Sequence, residues 1–277
     1  MGPIPRDHQQ THNAGSPAAD RAAPAAQALK VWLIPVLNDN YIFLLARDGR
    51  AAVVDPAVAP PVVAELERHG LVLEAILQTH HHSDHIGGSR ELQRHWPDCA
   101  VIAASADRER IPFQTEGVAG GDQFTLLDEP VQVIDVPGHT RAHLAYWLPE
   151  SGHLFCGDTL FAGGCGRLFE GTPEQMMASL QSLAALPDDT KVWCAHEYTE
   201  TNLRWASAQC RHDEAIQARL SSVLDQRQRG VATIPSTIGE ERNTNLFLRA
   251  TDAQELAHLR RSKDLWPGRA ERRPSQD

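Results

Sequence analysis

Short apolar segments separated by polar turns dominate the first part of the chain. They are rich in Val, Ile, Leu and aromatic residues, as β-strands are, and Asp48-Gly49 suits a hairpin turn between two of them. The spacing predicts a β-meander of three strands, at 30–36, 41–46 and 51–55. A helical period follows over residues 62–69 and ends at Gly70, a residue that adopts the left-handed conformation of a helix cap.

The strands predicted farther along the chain share one feature: a side chain that can bind a metal follows the end of each. The apolar segment 71–77 leads into a cluster of histidines, and a helix is predicted over 88–95, closed by Pro97. Three further strands, at 131–136, 153–156 and 191–195, are followed by His139, Asp158 and His196. A sheet can assemble one site from distant parts of the sequence in this way.

The last third of the chain changes to a helical pattern. Apolar residues repeat at the spacing of an amphipathic helix over 216–224, which Gly230 ends, and residues 202–211 and 254–263 also predict helices. The first 28 residues are rich in Ala and Pro and have no long apolar run, so we expect them to be disordered. The predicted organisation is an α/β protein with an extension at 1–28, a catalytic body at 29–196 and a helical substrate-binding domain at 197–277.

Composition and charge narrow the class of partner. The formal net charge of −10 lacks the basic footprint that nucleic-acid binding requires. No apolar run reaches the ~20 residues of a membrane span, and residues 1–28 lack the apolar segment of an export signal. The five scattered cysteines suit a reducing compartment. We therefore expect a cytoplasmic protein, a monomer that acts on a small molecule, with neither nucleic acid nor membrane as a partner.

The segment from Thr79 to Gly88 carries the strongest chemical signal. Within six positions it has four histidines and an aspartate, and imidazole and carboxylate are ligands for divalent metals such as Zn²⁺. If the segment is extended, His80, His82 and Asp84 project to one side, and His85 approaches from another direction. His81, between two of them, is expected to point away.

The number of candidate ligands decides how many metals to expect. Pooling the cluster with the later strand ends gives seven residues: His80, His82, Asp84, His85, His139, Asp158 and His196. One catalytic zinc takes about three protein ligands, so seven indicate two metals, and Asp158 is the candidate bridge because a carboxylate has two oxygens. Two metals ~3.5–4 Å apart can share a hydroxide and polarise a carbonyl, which is a hydrolase arrangement. Zn²⁺ is expected, and Fe and Mn²⁺ suit the same ligands.

These motifs resemble those of a known family. Thr79-His-x-His-x-Asp-His85, with His139, Asp158 and His196 behind it, is similar to the metallo-β-lactamase superfamily. Within that superfamily the segments 161–171, 195–198 and 235–242 resemble glyoxalase II, the hydroxyacylglutathione hydrolase family, and the resemblance covers roughly residues 29–265. It implies an αββα sandwich with the metals at one edge of the two sheets and a C-terminal helical domain.

The resemblance also implies roles for single residues. One metal would be held by His80, His82 and His139, and the other by Asp84, His85 and His196, with Asp158 between them. Contacts to glutathione would fall on five side chains: Arg167, Phe169, Tyr198, Arg260 and Lys263. Phe169 stands where the family often has Tyr, so one hydroxyl contact is not expected. Basic residues near the carboxyl end of the last predicted helix also suit the helix dipole without any ligand.

The activity implied is hydrolysis of S-D-lactoylglutathione to D-lactate and glutathione, a step of methylglyoxal degradation. A metal-bound hydroxide would attack the thioester carbonyl, with Asp84 and Asp158 as the catalytic carboxylates. The alternative within the superfamily is a mononuclear iron glutathione-persulfide dioxygenase, against which the helical region and its basic residues argue. A non-catalytic protein on this fold is expected to lack ligands, a class B β-lactamase to carry an export signal, and a nuclease to be basic.

Overall fold

Two six-stranded sheets form the body of the protein in the computed structural model, which describes residues 28–267. The first sheet has its strands in chain order: β1 (Lys30–Val36), β2 (Asn40–Arg47), β3 (Arg50–Val54), β4 (Val72–Leu77), β5 (Ala100–Ala104) and β6 (Glu116–Val118). The second sheet has the order β14-β13-β10-β9-β8-β7: β14 (Ser236–Thr237), β13 (Lys191–Cys194), β10 (His153–Gly157), β9 (Leu144–Leu148), β8 (Glu129–Asp135) and β7 (Gln123–Leu126). A small hairpin pairs β11 (Leu160–Phe161) with β12 (Gly164–Cys165).

Helices cover the sheets and form the carboxy-terminal part of the described chain. They are α1 (Pro60–His69), α2 (Ser83–Ile86), α3 (Ser89–His95), α4 (Pro173–Ala184), α5 (Thr199–Gln209), α6 (Glu214–Gln228), α7 (Ile238–Thr244) and α8 (Ala253–Asp264). Within residues 28–267, none of these helices has the length and apolar character needed to cross a bilayer. The extension predicted at 1–28 lies outside the described residues, apart from its last position.

The predicted β-meander is confirmed, and so is the helix that follows it. β1, β2 and β3 pair antiparallel in sequence order. α1 starts two residues before the predicted position because Pro60, whose fixed φ suits the first turn of a helix, begins it. It ends as predicted at Gly70, which has a φ of 61°.

Successive side chains of a strand point to opposite faces of the sheet, so the first sheet contributes to two apolar cores. Phe43 and Leu45 of β2 face the second sheet and pack with Tyr146 and Phe155, whereas their neighbours Ile42 and Leu44 face the other way. That outer core lies beneath α1 and α3, and α4 covers the opposite face of the second sheet. The predicted αββα sandwich is therefore the observed fold.

Strand direction determines where polar side chains can gather. β3, β4 and β5 run parallel in the first sheet, and β10 and β13 run parallel in the second, so their carboxyl ends collect at common edges. Backbone hydrogen bonds join the two edges: Tyr41 N donates to Ala195 O at 2.7 Å, and Leu144 N donates to Thr79 O at 2.8 Å. The loops that follow these strands therefore meet in one place.

A buried ion pair fastens the helical region to the small hairpin. Arg219 of α6 lies in the stripe predicted to be apolar. Its guanidinium donates to Glu241 Oε1 and to Thr244 Oγ1, and each donor–acceptor distance is 2.6 Å. The other carboxylate oxygen of Glu241 accepts from Gly163 N at 2.8 Å and from Asn245 Nδ2 at 2.9 Å. Both oxygens of Glu241 are therefore hydrogen-bonded, and the bonds fix how α6 and α7 pack against the hairpin.

Replacing Glu241 should therefore destabilise the protein strongly. Glu241→Ala leaves the buried Arg219 with only the half-exposed Glu240, 3.2 Å away, as its counter-charge. It also leaves Gly163 N and Asn245 without their acceptor, and we expect the free energy of unfolding to fall by about 3 kcal/mol. Glu200→Ala is the matched control, because it breaks an exposed pair with Arg204, and it should cost only about 0–1 kcal/mol. Urea unfolding of both variants measures the difference, and equal losses would contradict the structural role assigned to Glu241.

Candidate metal centre

The histidine loop begins in the middle of the first sheet. β4 ends at Leu77, and the next residues, Gln78 to His80, are buried, so the loop starts inside the protein. α2 begins at Ser83 with His82 as its N-cap residue, and α3 begins six residues later, at Ser89. The loop thus consists of an extended half up to His82 and a helical half that carries Asp84 and His85.

This geometry corrects one prediction. His80 and His82 do project toward the same place, but Asp84 does not join them as an extended segment requires. The helical turn at Ser83 rotates Asp84 toward His85 and His196 instead. The strand period does not continue past Ser83, because the backbone becomes helical there, and the grouping predicted from spacing alone is therefore wrong for Asp84.

The later strands bring the other candidate ligands to the same place. His139 follows β8 through a short turn, Asp158 follows β10 directly, and His196 follows β13 by two residues. All three are buried. Gly157, with a φ of 49°, precedes Asp158, and a Cβ there would lie 2.3 Å from Thr79 Oγ1, so only glycine lets β10 end so close to the histidine loop.

The candidate ligands form two groups of three, and within each group the three ligand atoms lie within 4.8 Å of one another. In the first group His82 Nδ1 lies 3.0 Å from His80 Nε2 and 3.1 Å from His139 Nε2. In the second group Asp84 Oδ2 lies 3.8 Å from His85 Nε2 and 3.6 Å from His196 Nε2. The membership of each group is the one that the resemblance implied.

Asp158 lies between the two groups. Its Oδ2 is 3.3 Å from His139 Nε2, in the first group. Its Oδ1 is 3.5 Å from His85 Nε2 and 3.3 Å from His196 Nε2, in the second. One carboxylate therefore presents an oxygen to each group, which is the geometry that a bridging ligand needs.

Hydrogen bonds from outside fix how the imidazoles point. His139 Nδ1 donates to the carbonyl oxygen of Arg167 at 2.9 Å, His85 Nδ1 to Asp55 at 3.0 Å, and His196 Nδ1 to Asp39 at 2.8 Å. Each ring therefore directs its Nε2 inward, and in the neutral imidazole that atom has a lone pair. Asn40 Nδ2 likewise donates to Asp84 Oδ2 at 3.1 Å.

Asp55 could itself belong to a third group with His80 and His85. Its oxygens, however, accept from Thr79 N at 2.8 Å, from Thr79 Oγ1 at 2.6 Å and from His85. Those bonds occupy the carboxylate, so Asp55 orients the loop rather than adding a ligand.

His143 and His81 lie beside the candidate ligands without joining them. The His143 ring stacks on His80 with a centroid distance of 4.6 Å, and its Nε2 accepts from the backbone N–H of Asp158 at 3.2 Å. His143 thus positions Asp158 rather than an imidazole. His81 turns away, as predicted, and contacts Asp107 and Arg110.

Burial and charge determine the protonation of the centre. Burial lowers the pKa of His82 to about 4 and lowers that of His80 and His139 as well, so these imidazoles are neutral. Burial also opposes a charge on His196, but the carboxylates of Asp158 and Asp39 together outweigh it and raise the pKa of His196 to about 10. The carboxylates therefore stabilise positive charge at the second group, where a divalent cation would replace the proton.

The residues fit a pair of cations. His85 Nε2 and Asp158 Oδ1 are buried and have no hydrogen-bond partner among the described residues, and both face the second group. Buried polar atoms without partners are rare in folded proteins. Nitrogen and carboxylate donors that converge with their lone pairs free make a site for borderline divalent metals.

The five residues predicted to contact the substrate differ in exposure and in what they touch. Phe169 is 59% exposed, and its ring centroid lies 5.1 Å from that of His139 and 5.8 Å from that of His82. Tyr198 stacks on His196 with a centroid distance of 4.8 Å, and Arg167 is partly exposed. Arg260 and Lys263 are buried on α8 against the rings of Phe247 and Trp205. Their roles in binding stay predictions.

Sequence reasoning missed the residues that orient the ligands. In the sequence, Asp39 and Asn40 belong to one of the polar turns between apolar segments, yet in the structure they hold His196 and Asp84. Their chain positions lie far from the residues they hold, so no local spacing predicts the contact. The only signal was that three polar residues, Asn38 to Asn40, stand together just before a buried strand.

Comparison with known proteins agrees with this arrangement. The family model described as the metallo-beta-lactamase superfamily matches residues 36–196, and that described as the hydroxyacylglutathione hydrolase C-terminus matches residues 197–266. A hydroxyacylglutathione hydrolase of Synechococcus sp. (strain WH7803) is 59% identical over 242 residues, which are 85% of this chain and 95% of that protein. Its counterpart in Prochlorococcus marinus (strain MIT 9303) is 54% identical over 87% of this chain and 95% of that protein.

Solved structures with lower identity share the fold. ETHE1 from Myxococcus xanthus has a TM-score of 0.63 at 23% identity and covers 86% of this chain and 92% of its own. The B3 metallo-beta-lactamase BLEG-1 has a TM-score of 0.61 at 21% identity and covers 80% of this chain and 100% of its own. Together with the relatives above 50% identity, these matches settle the classification. The chain belongs to the metallo-beta-lactamase superfamily and, within it, to the hydroxyacylglutathione hydrolase family.

Proposed function

We propose that this chain hydrolyses S-(2-hydroxyacyl)glutathione thioesters, chiefly S-D-lactoylglutathione, as a step of methylglyoxal degradation. Water adds across the acyl C–S bond: the hydroxyl goes to the carbonyl carbon to form D-lactate, and the sulfur leaves as the thiolate of glutathione. The observation that carries the proposal is Asp158, whose two oxygens face two separate groups of ligand atoms. The helical region beside it matches the hydroxyacylglutathione hydrolase C-terminus.

The proposed ligand sets follow the geometry of the two groups. His80, His82 and His139 would hold one divalent cation, Asp84, His85 and His196 the other, and Asp158 would contribute to both. When bound, such a pair supplies a water ionised near neutral pH and a Lewis acid for the thioester carbonyl. We propose Zn²⁺ as the metal, and the same donors accept Fe and Mn²⁺.

The catalytic work of the chain itself is then to orient the reactants. Asp84 is fixed by Asn40 and keeps a partly exposed carboxylate, which can accept a hydrogen bond from water and turn the lone pair of that water toward the substrate. Burial opposes a charge on Asp158, but the neighbouring imidazoles keep the pKa of its carboxyl below the ordinary value. Asp158 is therefore ionised at neutral pH. A thiolate leaves readily, and the proposal requires no general acid.

The proposed substrate site extends from the metal centre toward α8. The exposed Phe169 and the stacked Tyr198 flank the candidate ligands on two sides. Arg167 offers a charged donor to a glutathione carboxylate, and we assign Arg260 and Lys263, with their small exposed fractions, to the same role. We propose residues 197–277, whose described part is mainly helical, as the substrate-binding domain.

The proposed setting is the cytoplasm. All five cysteines are free thiols, and four of them are buried, as suits a reducing compartment. The monomeric state stays a prediction, to be measured by light scattering.

Removing a ligand from either group should abolish turnover. We expect His80→Ala and Asp158→Ala to lose hydrolysis of S-D-lactoylglutathione and to bind less metal, because each change removes donor atoms from the centre. His95→Ala changes an exposed histidine of α3 and should behave as wild type. A spectrophotometric assay with metal analysis of the same samples gives both results.

The metal content of the wild type also separates the hydrolase from the alternative dioxygenase. Two metals per chain and no oxygen consumption with glutathione persulfide support the hydrolase. One iron per chain with oxygen consumption would contradict it, as would full hydrolysis by either ligand variant.

Removing a residue that orients a ligand should weaken metal binding without unfolding the protein. Asp39→Ala takes away the acceptor of His196 Nδ1, a carboxylate that is partly exposed and therefore dispensable for the fold. We expect metal affinity or activity to fall about 10–100-fold. Titration with a competing chelator measures this, with the exposed Asp98→Ala as the control. If Asp39→Ala binds both metals as tightly as wild type, the orienting role is wrong.

A further inference from the structure

A charged cluster beside the histidine loop has no part in the metal centre. It consists of Asp107 and Arg110, which follow β5, of His81 on the histidine loop, and of Glu170 on the segment 166–171. Asp107 is 1% exposed, and a carboxylate is buried so deeply only with a partner. Arg110 is that partner, since its Nε donates to Asp107 Oδ1 at 2.7 Å.

The guanidinium of Arg110 joins three separate parts of the chain. Besides Asp107, its Nη1 donates to Glu170 Oε1 and lies 3.1 Å from His81 Nε2. A guanidinium has no acceptor, so His81 Nε2 accepts and the imidazole proton lies on Nδ1, which is 3.3 Å from Asp107 Oδ2. One planar cation therefore ties the turn after β5 to the histidine loop and to the segment 166–171.

The segment held in this way borders the metal centre. The second oxygen of Glu170 accepts from Arg141 N at 2.8 Å, and the neighbouring Phe169 donates its N–H to His139 O at 3.3 Å. The ring of Phe169 makes edge and tilted contacts with His82 and His139, and it is exposed although it is large and apolar. Arg167, on the same segment, is the most exposed of the proposed basic contacts for the substrate.

We propose that Arg110 is a positioning residue for substrate binding: through Glu170 it holds the segment that carries Arg167 and Phe169 in place before the thioester arrives. This role rests on the proposed function. Without the guanidinium, the side chains on the part of the segment between the backbone contacts of Arg167 and Gly171 gain freedom that binding must remove. That cost weakens the binding of the substrate and of the transition state alike. The loss therefore falls on KM rather than on kcat.

The turnover number is expected to survive because the metal ligands keep their own supports. His139 still donates to the carbonyl oxygen of Arg167, and the backbone bond from Gly171 N to Gly138 O, at 3.0 Å, still holds the end of the segment. Arg110 itself touches no candidate ligand, because its contact in the histidine loop is His81.

Steady-state kinetics of Arg110→Met and Glu170→Gln with S-D-lactoylglutathione test the proposal. We expect KM to rise about tenfold in each variant while kcat stays within about threefold and two metals stay bound. The double variant should bind no worse than Arg110→Met alone, because both changes break one contact. Arg110→Lys should give an intermediate KM, since an ammonium cannot serve both carboxylates as a planar fork does.

Arg50→Met is the matched control. It breaks an exposed pair with Asp128 at the opposite end of β3 from Asp55, so KM should not change. Glu170→Gln keeps the pair between Arg110 and Asp107, and it tests the proposal even if Arg110→Met does not fold. A KM in Glu170→Gln within about twofold of wild type would overturn the role, as would a lower melting temperature in Arg110→Met with KM unchanged.

Failure of the proposed function would look different. A wild-type enzyme that holds two metals but does not hydrolyse the thioester would refute that function, and the positioning role with it. A wild-type enzyme that does hydrolyse the thioester, with variants whose KM is unaltered, would refute the positioning role alone.

Discussion

The orientation of five imidazoles around one buried carboxylate is the constraint on which the rest of the structure depends. A neutral imidazole has one N–H and one lone pair, so directing a lone pair inward requires an acceptor for the N–H on the outside. Asp55, Asp39 and the carbonyl oxygen of Arg167 supply those acceptors for three of the rings. Asp158 can then divide its two oxygens between two groups of nitrogen and oxygen donors. Without these acceptors the imidazole rings would be free to turn, and their nitrogens would no longer converge on the two metal positions.

The fold provides these acceptors because its two sheets end at one edge. Asp55 follows β3 and Asp158 follows β10, and these strands belong to different sheets. Asp39 comes from the turn between β1 and β2, yet the pairing of Asn40 with His196 brings it beside the end of β13. The apolar core between the sheets therefore has a functional consequence: it sets the distance between side chains that the sequence separates by more than a hundred positions.

Much of the fold was predictable because apolar alternation and glycine caps are local signals. The meander, α1, the histidine loop and the membership of both ligand groups were predicted from the residues or from the family resemblance. The helical turn at Ser83 was not, since four residues are too few to show a period. α4 was overlooked although Thr172-Pro173 and Gln175 form a capping box that the sequence displays. Arg219 inside an apolar stripe was unpredictable for another reason: its partner Glu241 lies on a different helix, and only the tertiary fold makes its burial favourable.

The central claim is that two cations share the Asp158 carboxylate, and a crystal structure of the metal-loaded protein with anomalous diffraction measures this most directly. The account predicts two peaks about 3.5–4 Å apart. One should lie about 2.0–2.2 Å from the nitrogens of His80, His82 and His139, and the other equally close to Asp84, His85 and His196, with one oxygen of Asp158 on each. A single peak, or a metal bound by Asp55, would contradict it.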